Sequence, residues 1–464
     1  MILKNAKIFS DGLIREGAIL IGDGIIKKLI FKSSKDPIEK FIEENEDGNV
    51  IECANKLIIP GIIDIHSHLR DMGQSEKETF FTGTQAAAFS GITTVLNMPN
   101  TVPPAINAET IKVWMNNAEK NININVGFIA GVPKEIDEEE IKKIIELGIL
   151  GFKIYPLNSL NGIDWCESLN IQKLLKISSK FQIPIFIHPD WPLPNEKKEL
   201  IIKNYENEKT NILDLHDRLY PVEMEAKYVK FIIDNYIATI SENNLSYDRY
   251  PIIHFCHISN KYSYFPIKDI IETNSYYKIS FEVTPHHFFL SKDINLINSN
   301  FGKVLPPLRE SEHSLFLFNE LIKGNINLIG TDHAPHTIEE KSNDYFKAPS
   351  GFPGFETYPL LLLDKVCSYN LSLETFVKVA SENPAHLFNF KCKGFIKEGF
   401  DADLVIIDKV PEYSISSNNF YTKAKYTPFE NLKTKIQIWK VFIRGNEVNI
   451  KNLKPEGKII KRLI

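Results

Sequence analysis

The stretch LIIPGIIDIHSH, at residues 57–68, is a short apolar run that ends in two histidines. Its length and β-branched content are typical of a strand that is buried on both faces. Seven similar runs follow, most of them trailed by a helix-like stretch. Counted from the first, the eight runs are residues 58–66, 92–98, 124–130, 151–155, 184–188, 252–257, 279–284 and 326–332. Buried strands alternating with helices predict an α/β fold, a TIM-like (β/α)8 barrel whose chemistry sits at the carboxyl ends of the strands.

The two ends of the chain share a different pattern. Short alternating apolar segments separated by Gly and Asp turns fill residues 1–55, and β-rich segments return after residue 391. Such alternation predicts short antiparallel strands. We therefore predict a small β-sandwich built from both termini, residues 1–55 and 391–464, beside a barrel at residues 56–390. The polar stretch 195–217 predicts a solvated surface insertion.

Composition narrows the classes of protein. The 464 residues, 43% of them hydrophobic, are enough for one large core and a smaller unit. With 54 basic and 59 acidic residues and a net charge of -5, the chain lacks a cationic stripe, which argues against nucleic-acid and membrane partners. Five scattered cysteines without a CxxC pair favour a reducing compartment, and no apolar run approaches the ~20 residues of a membrane span. We expect a cytoplasmic protein that acts on a small molecule.

Metal-type residues stand at the ends of several predicted strands. His66 and His68 are two residues apart, so on a strand both imidazoles face the same side and can bind one metal ion. His188, His257 and Asp332 each end another strand. Alone, each is more often a structural histidine or a helix-capping aspartate. Together, at one end of a barrel, they predict a metal centre.

Lys153 interrupts the otherwise apolar strand of residues 151–155. Burying an ammonium group is expensive unless it is paired, so such an environment favours the neutral amine. A neutral amine can take up carbon dioxide as a carbamate, whose two oxygens would bridge two cations. The alternative is a structural lysine paired with a glutamate.

Several segments together resemble the dihydroorotase branch of the amidohydrolase superfamily. They are GIIDIHSHLR at 61–70, GITTV at 91–95, MPNT at 98–101, EVTPHH at 282–287, GTDHAPHT at 330–337 and GFPGFET at 351–357. The likeness runs from about residue 50 to about residue 450, and MPNT and DHAPH are its most specific parts. It implies a metal-dependent hydrolase of carbon–nitrogen bonds in cyclic amides. The implied reaction is the reversible cyclisation of N-carbamoyl-L-aspartate to (S)-dihydroorotate with loss of water, in de novo pyrimidine (UMP) biosynthesis.

The resemblance also implies a role for each residue of the centre. Two Zn²⁺ ions would be bound, one by His66, His68 and Asp332 and the other by His188 and His257. A carbamylated Lys153 would bridge them. Asp332 would accept the proton of the attacking water and deliver it to the leaving nitrogen.

Further positions match the parts of these enzymes that meet the substrate. The resemblance assigns a carboxylate clamp to Arg70, Asn100 and His336, and backbone contacts with the ring to Ser350 and Gly351. For Arg70 the alternative is a surface salt bridge, and for Ser350 and Gly351 it is a simple turn.

Cys256 and Glu282 match positions that hold a third zinc in the dihydroorotase domain of the animal multifunctional pyrimidine-synthesis protein. The alternatives are a small core cysteine and a glutamate that orients a metal ligand.

The chain departs from the family pattern in three places. Pro189-Asp190 follows His188 where a small residue and Glu are usual, and Leu305 replaces an Arg or Asn that meets the substrate. The loop 156–161, a lid in relatives, has Ser159 and Leu160 where the animal domain has Thr and Phe.

Two alternative functions remain. An allantoinase or hydantoinase shares the barrel, the HxH pair and the carbamylated lysine, but the MPNT segment and His336 favour the dihydroorotase branch. A catalytically inactive dihydroorotase-like assembly subunit would be expected to lack some metal ligands, whereas all six positions are filled here. The resemblance also implies a homodimer and an association with aspartate transcarbamoylase.

Overall fold

The computed structural model describes residues 1–32, 49–208, 211–449 and 457–462. Two sheets account for the strands in these ranges. The N-terminal strands of the first sheet are β1 (Ile2–Ser10), β2 (Leu13–Gly22), β3 (Ile25–Phe31), β4 (Val50–Glu52) and β5 (Leu57–Pro60), and β14 to β16 complete it. The barrel strands are β6 (Ile62–Ser67), β7 (Ile92–Asn97), β8 (Asn125–Gly131), β9 (Gly151–Ile154), β10 (Pro184–Ile187), β11 (Ile252–Phe255), β12 (Lys278–Val283) and β13 (Leu328–Ile329). The remaining strands are β14 (Leu404–Ser414), β15 (Lys433–Ile443), β16 (Asn446–Glu447) and β17 (Ile459–Ile460).

Helices follow the barrel strands. Those of the first half are α1 (Phe80–Phe89), α2 (Ala108–Glu119), α3 (Glu138–Glu146), α4 (Ser168–Phe181), α5 (Asn195–Glu208), α6 (Ile212–Leu219) and α7 (Val222–Glu242). Those of the second half are α8 (Lys261–Thr273), α9 (Pro285–Phe289), α10 (Ser311–Ile322), α11 (Ile338–Lys341), α12 (Tyr358–Cys367), α13 (Leu373–Val377) and α14 (Asn383–Leu387). No helix in the described parts of the chain has the length and apolar content that a membrane crossing demands.

The predicted (β/α)8 barrel is confirmed. Strands β6 to β13 are parallel and pair in sequence order, and a parallel bridge between Ser67 and His333 brings the end of the barrel back to its first strand. The interior is packed, because Ile65, Leu96 and Phe186 are buried inside the strand ring. A larger apolar layer between strands and helices holds the barrel together. Polar groups therefore gather where the strands end.

The small domain contains strands from both termini, as predicted. Its strands pair in the order β16-β15-β14-β5-β1-β2-β3, with β4 added beside β1. The edge strand β3 curls back toward the segment that precedes β14, since Ile25 bridges to Asp401 and the Ile26 N–H donates to the Phe400 carbonyl at 2.8 Å. One rolled sheet thus encloses its own apolar core.

The first predicted strand, residues 58–66, is split in the structure. Its first part belongs to β5 in the small domain and its second part to β6 in the barrel. Gly61 stands at the break, where a Cβ would lie 2.2 Å from the Thr93 Oγ1. This close approach of backbone to side chain lets one run supply both sheets.

The last predicted strand is shorter than expected. Only Leu328 and Ile329 of residues 326–332 form strand β13, and Asp332 has a positive φ of 49°. The backbone thus leaves the sheet before it reaches Asp332.

The polar stretch 195–217, which was predicted to be a solvated surface insertion, is only partly exposed to solvent. Leu215 and His216 of α6 are buried, and the His216 Nε2 lies 2.8 Å from the Val304 carbonyl oxygen.

Candidate active site

A cavity of about 450 Å³ opens at the carboxyl ends of the barrel strands. Nearly all of the predicted site residues line it: His66, His68, Arg70, Asn100, His188, His257, Asp332, His336, Ser350 and Gly351. A somewhat larger cavity, of about 530 Å³, lies at the other end of the barrel and contacts Leu150, Pro184 and Ile252. We assign the chemistry to the smaller cavity, because the ionisable groups converge there.

His66, His68 and Asp332 meet at one point. Their nearest ligand atoms all lie within 4.8 Å of one another. The His68 Nε2 is 3.0 Å and the His66 Nε2 is 3.5 Å from the Asp332 Oδ1. The Nδ1 atom on the opposite side of each ring has its own hydrogen-bond partner. The His68 Nδ1 lies 2.6 Å from the Asn100 Oδ1, and the His66 Nδ1 contacts the Glu282 carboxylate. Both Nε2 atoms are thereby aimed at the same place.

The electrostatics of this triad suit a cation. Burial raises the pKa of Asp332, but His66 and His68 outweigh it and hold that pKa well below its usual range. Burial and Lys153 lower the pKa of His66, yet Glu282, Cys256 and Asp332 raise it to about 10. Burial lowers the pKa of His68 to about 4. The raised pKa of His66 shows that the ionised carboxylates of Glu282 and Asp332 favour positive charge at this point. A divalent cation could take the place of the proton, and a carboxylate with two imidazole nitrogens is a donor set that zinc binds.

A second pair of imidazoles lies beside the first. The ring centroids of His188 and His257 are 4.5 Å apart, and His257 is 5.2 Å from His66. Burial, then Lys153, lowers the pKa of His188 to about 3, and burial, then His188, lowers that of His257 well below its usual value. Within the described structure the His257 Nδ1 is buried without a hydrogen-bond partner. An orphaned neutral nitrogen beside a second imidazole fits a second metal ion.

Lys153 lies within this group. Its side chain is 1% exposed, and its Nζ is 2.8 Å from the Cys256 Sγ. Its charge acts on His66, His188 and His257. No salt bridge from Lys153 to a glutamate or aspartate is found among the described residues, so the paired-lysine alternative loses its support. Lys153 therefore lies close to predicted ligands of both metal ions, and its carbamylation stays a prediction.

Glu282 acts chiefly on neighbouring histidines. Its carboxylate contacts the His66 Nδ1, lies 3.2 Å from the His254 Nε2 and accepts the His257 N–H at 3.2 Å. These contacts support the alternative that Glu282 orients a metal ligand. The ligand atoms of His66, Cys256 and Glu282 also lie within 4.8 Å of one another, so the predicted third metal site stays a prediction.

Arg70 enters the cavity without an acidic partner. It is 7% exposed, and its Nε donates to the Pro335 carbonyl at 3.1 Å. No salt bridge to it occurs among the described residues, and burial lowers its pKa. An isolated buried guanidinium calls for an anion, so the surface-salt-bridge alternative is not what the structure has.

His336 links Arg70 to the loop that follows. The Lys77 Nζ lies 3.2 Å from the His336 Nδ1, which must therefore act as acceptor. The His336 Nε2–H then donates to the Ser350 carbonyl at 3.0 Å. The Arg70 Nη2 lies 3.0 Å from the same His336 Nε2, which carries a proton and so cannot accept a hydrogen bond from it. This guanidinium nitrogen is therefore available to a ligand.

The predicted ring contacts are more constrained than expected. The Gly351 N–H already donates to the Lys303 carbonyl at 2.9 Å, and its carbonyl accepts from Lys341. Gly351 can therefore meet a ring mainly through its bare Cα, and a Cβ there would lie 2.6 Å from the Ala334 carbonyl oxygen.

Leu305 lines the cavity, so an apolar side chain stands where relatives place a polar one. Leu157, Asn158 and Leu160 line it too, and the lid role of their loop stays a prediction.

Four residues that contribute to the site were not identified from the sequence. Tyr155 lines the cavity and lies 6.1 Å from the His188 ring, and its spacing of two from Lys153 on one strand was a usable signal. Asp64 accepts from the Thr331 N–H at 2.9 Å and from its hydroxyl at 2.6 Å, which ties the first barrel strand to the last. Nothing in the sequence pattern marks Lys303 or Lys341, whose partners are backbone carbonyls.

The comparisons with known proteins agree with this geometry. The amidohydrolase family model matches residues 57–448. The chain is 35% identical over 435 residues to a dihydroorotase from Methanosphaera stadtmanae, covering 93% of this chain and 92% of that protein. It is 34% identical over 430 residues to a dihydroorotase from Endomicrobium trichonymphae, covering 92% and 95%.

Solved structures with the same fold carry other names. The L-hydantoinase (dihydropyrimidinase) from Arthrobacter aurescens matches with a TM-score of 0.84 and 24% identity, covering 99% of this chain and 97% of that one. The dihydropyrimidinase from Brevibacillus agri matches with a TM-score of 0.83 and 22% identity, covering 99% and 98%. At these identities the similarity is one of fold.

The chain therefore belongs to the amidohydrolase family, a family of metal-dependent enzymes, and is a hydrolase that acts on carbon–nitrogen bonds in cyclic amides. Its donor set at the barrel mouth matches that chemistry.

Proposed function

We propose that the protein is a zinc-dependent dihydroorotase, which interconverts N-carbamoyl-L-aspartate and (S)-dihydroorotate in de novo pyrimidine synthesis. The observation that carries the proposal is Arg70, a buried guanidinium without an acidic partner among the described residues, in the same cavity as His66, His68 and Asp332. A cyclic amide that carries a carboxylate would supply the missing anion. The curated relatives named dihydroorotase support the same substrate.

The chain's own residues would divide the work in a simple way. His66, His68 and Asp332 would hold one zinc ion, His188 and His257 the other, and Lys153 would carry a carbamate between them. Zinc in such a centre supplies Lewis-acid polarisation of the amide carbonyl and acidifies water. Asp332, ionised and 3.0 Å from the His68 Nε2, would take the proton of the attacking water and return it to the leaving nitrogen. Arg70 would hold the carboxylate and so orient the ring.

Neutral rings fit this cavity less well. A hydantoin or dihydrouracil has no carboxylate, so its binding would leave the Arg70 charge buried and uncompensated. The hydantoinase alternative is favoured only by the fold similarity, which does not identify a substrate.

The test is a comparison of substrates on one zinc-analysed preparation. We expect kcat/KM for dihydroorotate to exceed that for dihydrouracil, hydantoin and allantoin by about 100-fold or more, since a site built around a charge rejects rings that lack it. A preference for any neutral ring would overturn the proposal. No turnover of any ring, in protein that purifies without stoichiometric zinc, would instead support the inactive assembly subunit.

The comparison of substrates does not test the predicted cellular location or the predicted assembly. A cytoplasmic location, a homodimer and an association with aspartate transcarbamoylase stay predictions from the sequence and its resemblance.

A further inference from the structure

The segment 345–351 forms one wall of the active-site cavity. It carries Ser350 and Gly351 and is neither helix nor strand. Its own backbone supplies few bonds, such as those from the Lys347 and Ala348 N–H groups to the Asp344 carbonyl, at 3.1 and 2.9 Å. The carbonyl groups of the segment must therefore find donors elsewhere.

Two lysines provide those donors. Lys341 is fully buried, and its Nζ donates to the carbonyls of Pro349 at 2.9 Å, Gly351 at 2.9 Å and Lys303 at 3.1 Å. The Lys303 Nζ donates to the carbonyls of Tyr345 at 2.7 Å and Ala348 at 2.5 Å. Neither ammonium group has a salt bridge to a carboxylate within the described structure. Four of the five hydrogen bonds from these two ammonium groups go to the backbone of the segment 345–351, and the fifth goes to the Lys303 carbonyl.

This arrangement is costly for stability alone. An ammonium group loses its hydration when buried, and carbonyl dipoles compensate it less well than a carboxylate would. What the two lysines add is a fixed position for four carbonyl groups and hence for the chain that bears them.

The position of this wall matters for the carboxylate clamp as well. Ser350 accepts the hydrogen bond of His336, and His336 lies against Arg70. If the segment shifts, both the ring contact and the clamp lose their geometry. The metal ligands have no hydrogen bond to this segment among the described residues and would stay in place.

We propose that Lys341 and Lys303 are positioning residues that hold the segment 345–351 where Ser350 and Gly351 meet the substrate ring. They set the affinity for substrate and leave the chemistry at the metal centre unchanged. The proposal rests on the proposed function for the identity of the substrate only.

The experiment uses the full-length, zinc-loaded protein with Lys341→Met and Lys303→Met, which keep the volume and remove the donors. We expect KM for dihydroorotate to rise about tenfold or more while kcat stays within about threefold, since ground-state contacts are lost. Zinc content should be unchanged. Amide hydrogen exchange should accelerate in peptides that cover residues 345–351.

The matched control is Lys393→Met. Lys393 is also largely buried, but its Nζ is bound to Asp401 and Asp403, each at 2.7 Å, in the small domain. This variant should lose stability without changing KM or the exchange of residues 345–351. An unchanged KM and unchanged exchange in a folded Lys341→Met protein would overturn the proposal.

A milder variant covers the case in which both lysine variants fail to fold. The Tyr426 hydroxyl donates to the Gly351 carbonyl at 3.3 Å, so Tyr426→Phe removes one further donor to the same wall. It should raise KM about two- to threefold with faster exchange of the segment, and wild-type values for both would reject the proposal. Hydrogen exchange is measured without substrate and therefore does not depend on the proposed function. If the substrate assignment is wrong, KM for dihydroorotate loses its meaning, but the exchange of residues 345–351 still tests the role of the two lysines.

Discussion

The mouth of the barrel and the core of the small domain both contain almost fully buried side chains, but the chemistry of those side chains is opposite. The small-domain core is hydrocarbon, with Leu3, Ile19, Ile58 and Leu404 all fully buried. At the mouth, ionisable groups such as Lys153, Glu282 and His257 are just as deeply buried. Burial of hydrocarbon stabilises the folded state wherever it occurs. Burial of a charged group destabilises the folded state unless an opposite charge, a hydrogen-bond partner or a bound ligand compensates it.

The backbone differs in the same way. In the small domain, positive φ angles fall mostly on Asp and Asn, such as Asp11, Asp23 and Asn55, with Ala54 and Arg444 as exceptions. At the mouth they fall on Arg70, His257 and Asp332, with φ of 56°, 36° and 49°. A left-handed conformation is cheap for Asp and Asn in a turn but strained for arginine and histidine. The comparison indicates that burial of apolar side chains provides most of the folding stability. That stability offsets the free-energy cost of holding strained and charged groups at the mouth.

The largest expected effect is that of Lys153→Ala. If Lys153 carries the proposed carbamate bridge, its loss should lower kcat/KM for dihydroorotate by about 1000-fold or more and reduce the zinc content. The melting temperature of the apo-protein should change little or rise, because a buried charge is removed. Zinc analysis, steady-state kinetics and thermal unfolding measure the three quantities. Acetate or another short carboxylate should restore part of the activity. Full turnover with a normal zinc content would reject the carbamate bridge.

Arg70→Gln should act on substrate choice. Loss of the guanidinium should lower the preference for dihydroorotate over dihydrouracil by about 100-fold, because only the charged ring loses its partner. Turnover of both rings by the wild type and the variant checks this. An equal loss for both rings would mean that Arg70 supports the cavity without reading the carboxylate.

Glu282→Gln and Cys256→Ser separate the two interpretations of the third metal. If Glu282 orients His66, Glu282→Gln should weaken zinc binding by about 10- to 100-fold, while Cys256→Ser keeps two zinc ions per chain. The measurement is zinc stoichiometry with a competing chelator. Three zinc ions in the wild type and two in each variant would instead establish a third metal site.

Leu404→Ala tests the other region. Truncating this fully buried side chain of the small domain should cost about 2–5 kcal/mol of unfolding free energy and leave kcat and KM of the folded protein unchanged. Urea unfolding and kinetics below the transition measure both. If kcat fell with stability, the mouth would depend on the small domain more directly than the separation of the two regions implies.

Much of the architecture was predictable because it depends on local pattern. The eight apolar runs predict the barrel, since a strand buried on both faces has to be apolar along its whole length. The split at Gly61 was not predictable, because it depends on Thr93, thirty-two residues away, approaching where a Cβ would be. The short β13 and the turned Asp332 likewise depend on contacts with Asp64 and His68.

The candidate site was predictable where strand periodicity aims side chains. His66, His68, His188, His257 and Asp332 all stand at strand ends, and the barrel brings them to one mouth. The supporting contacts were not predictable. Glu282 behind His66, Asn100 behind His68 and Lys341 behind Gly351 are pairs from distant parts of the chain, and nothing local distinguishes them from ordinary polar residues.

By itself, the sequence determined the kind of fold and the donor atoms available at its mouth, because hydrophobic periodicity and residue chemistry are local properties. The tertiary structure alone decided which nitrogen of each histidine is free, that Arg70 lacks an acidic partner and which backbone groups are already engaged. These depend on distances between elements far apart in the chain, and a hydrogen bond or an uncompensated charge exists only once those distances are set.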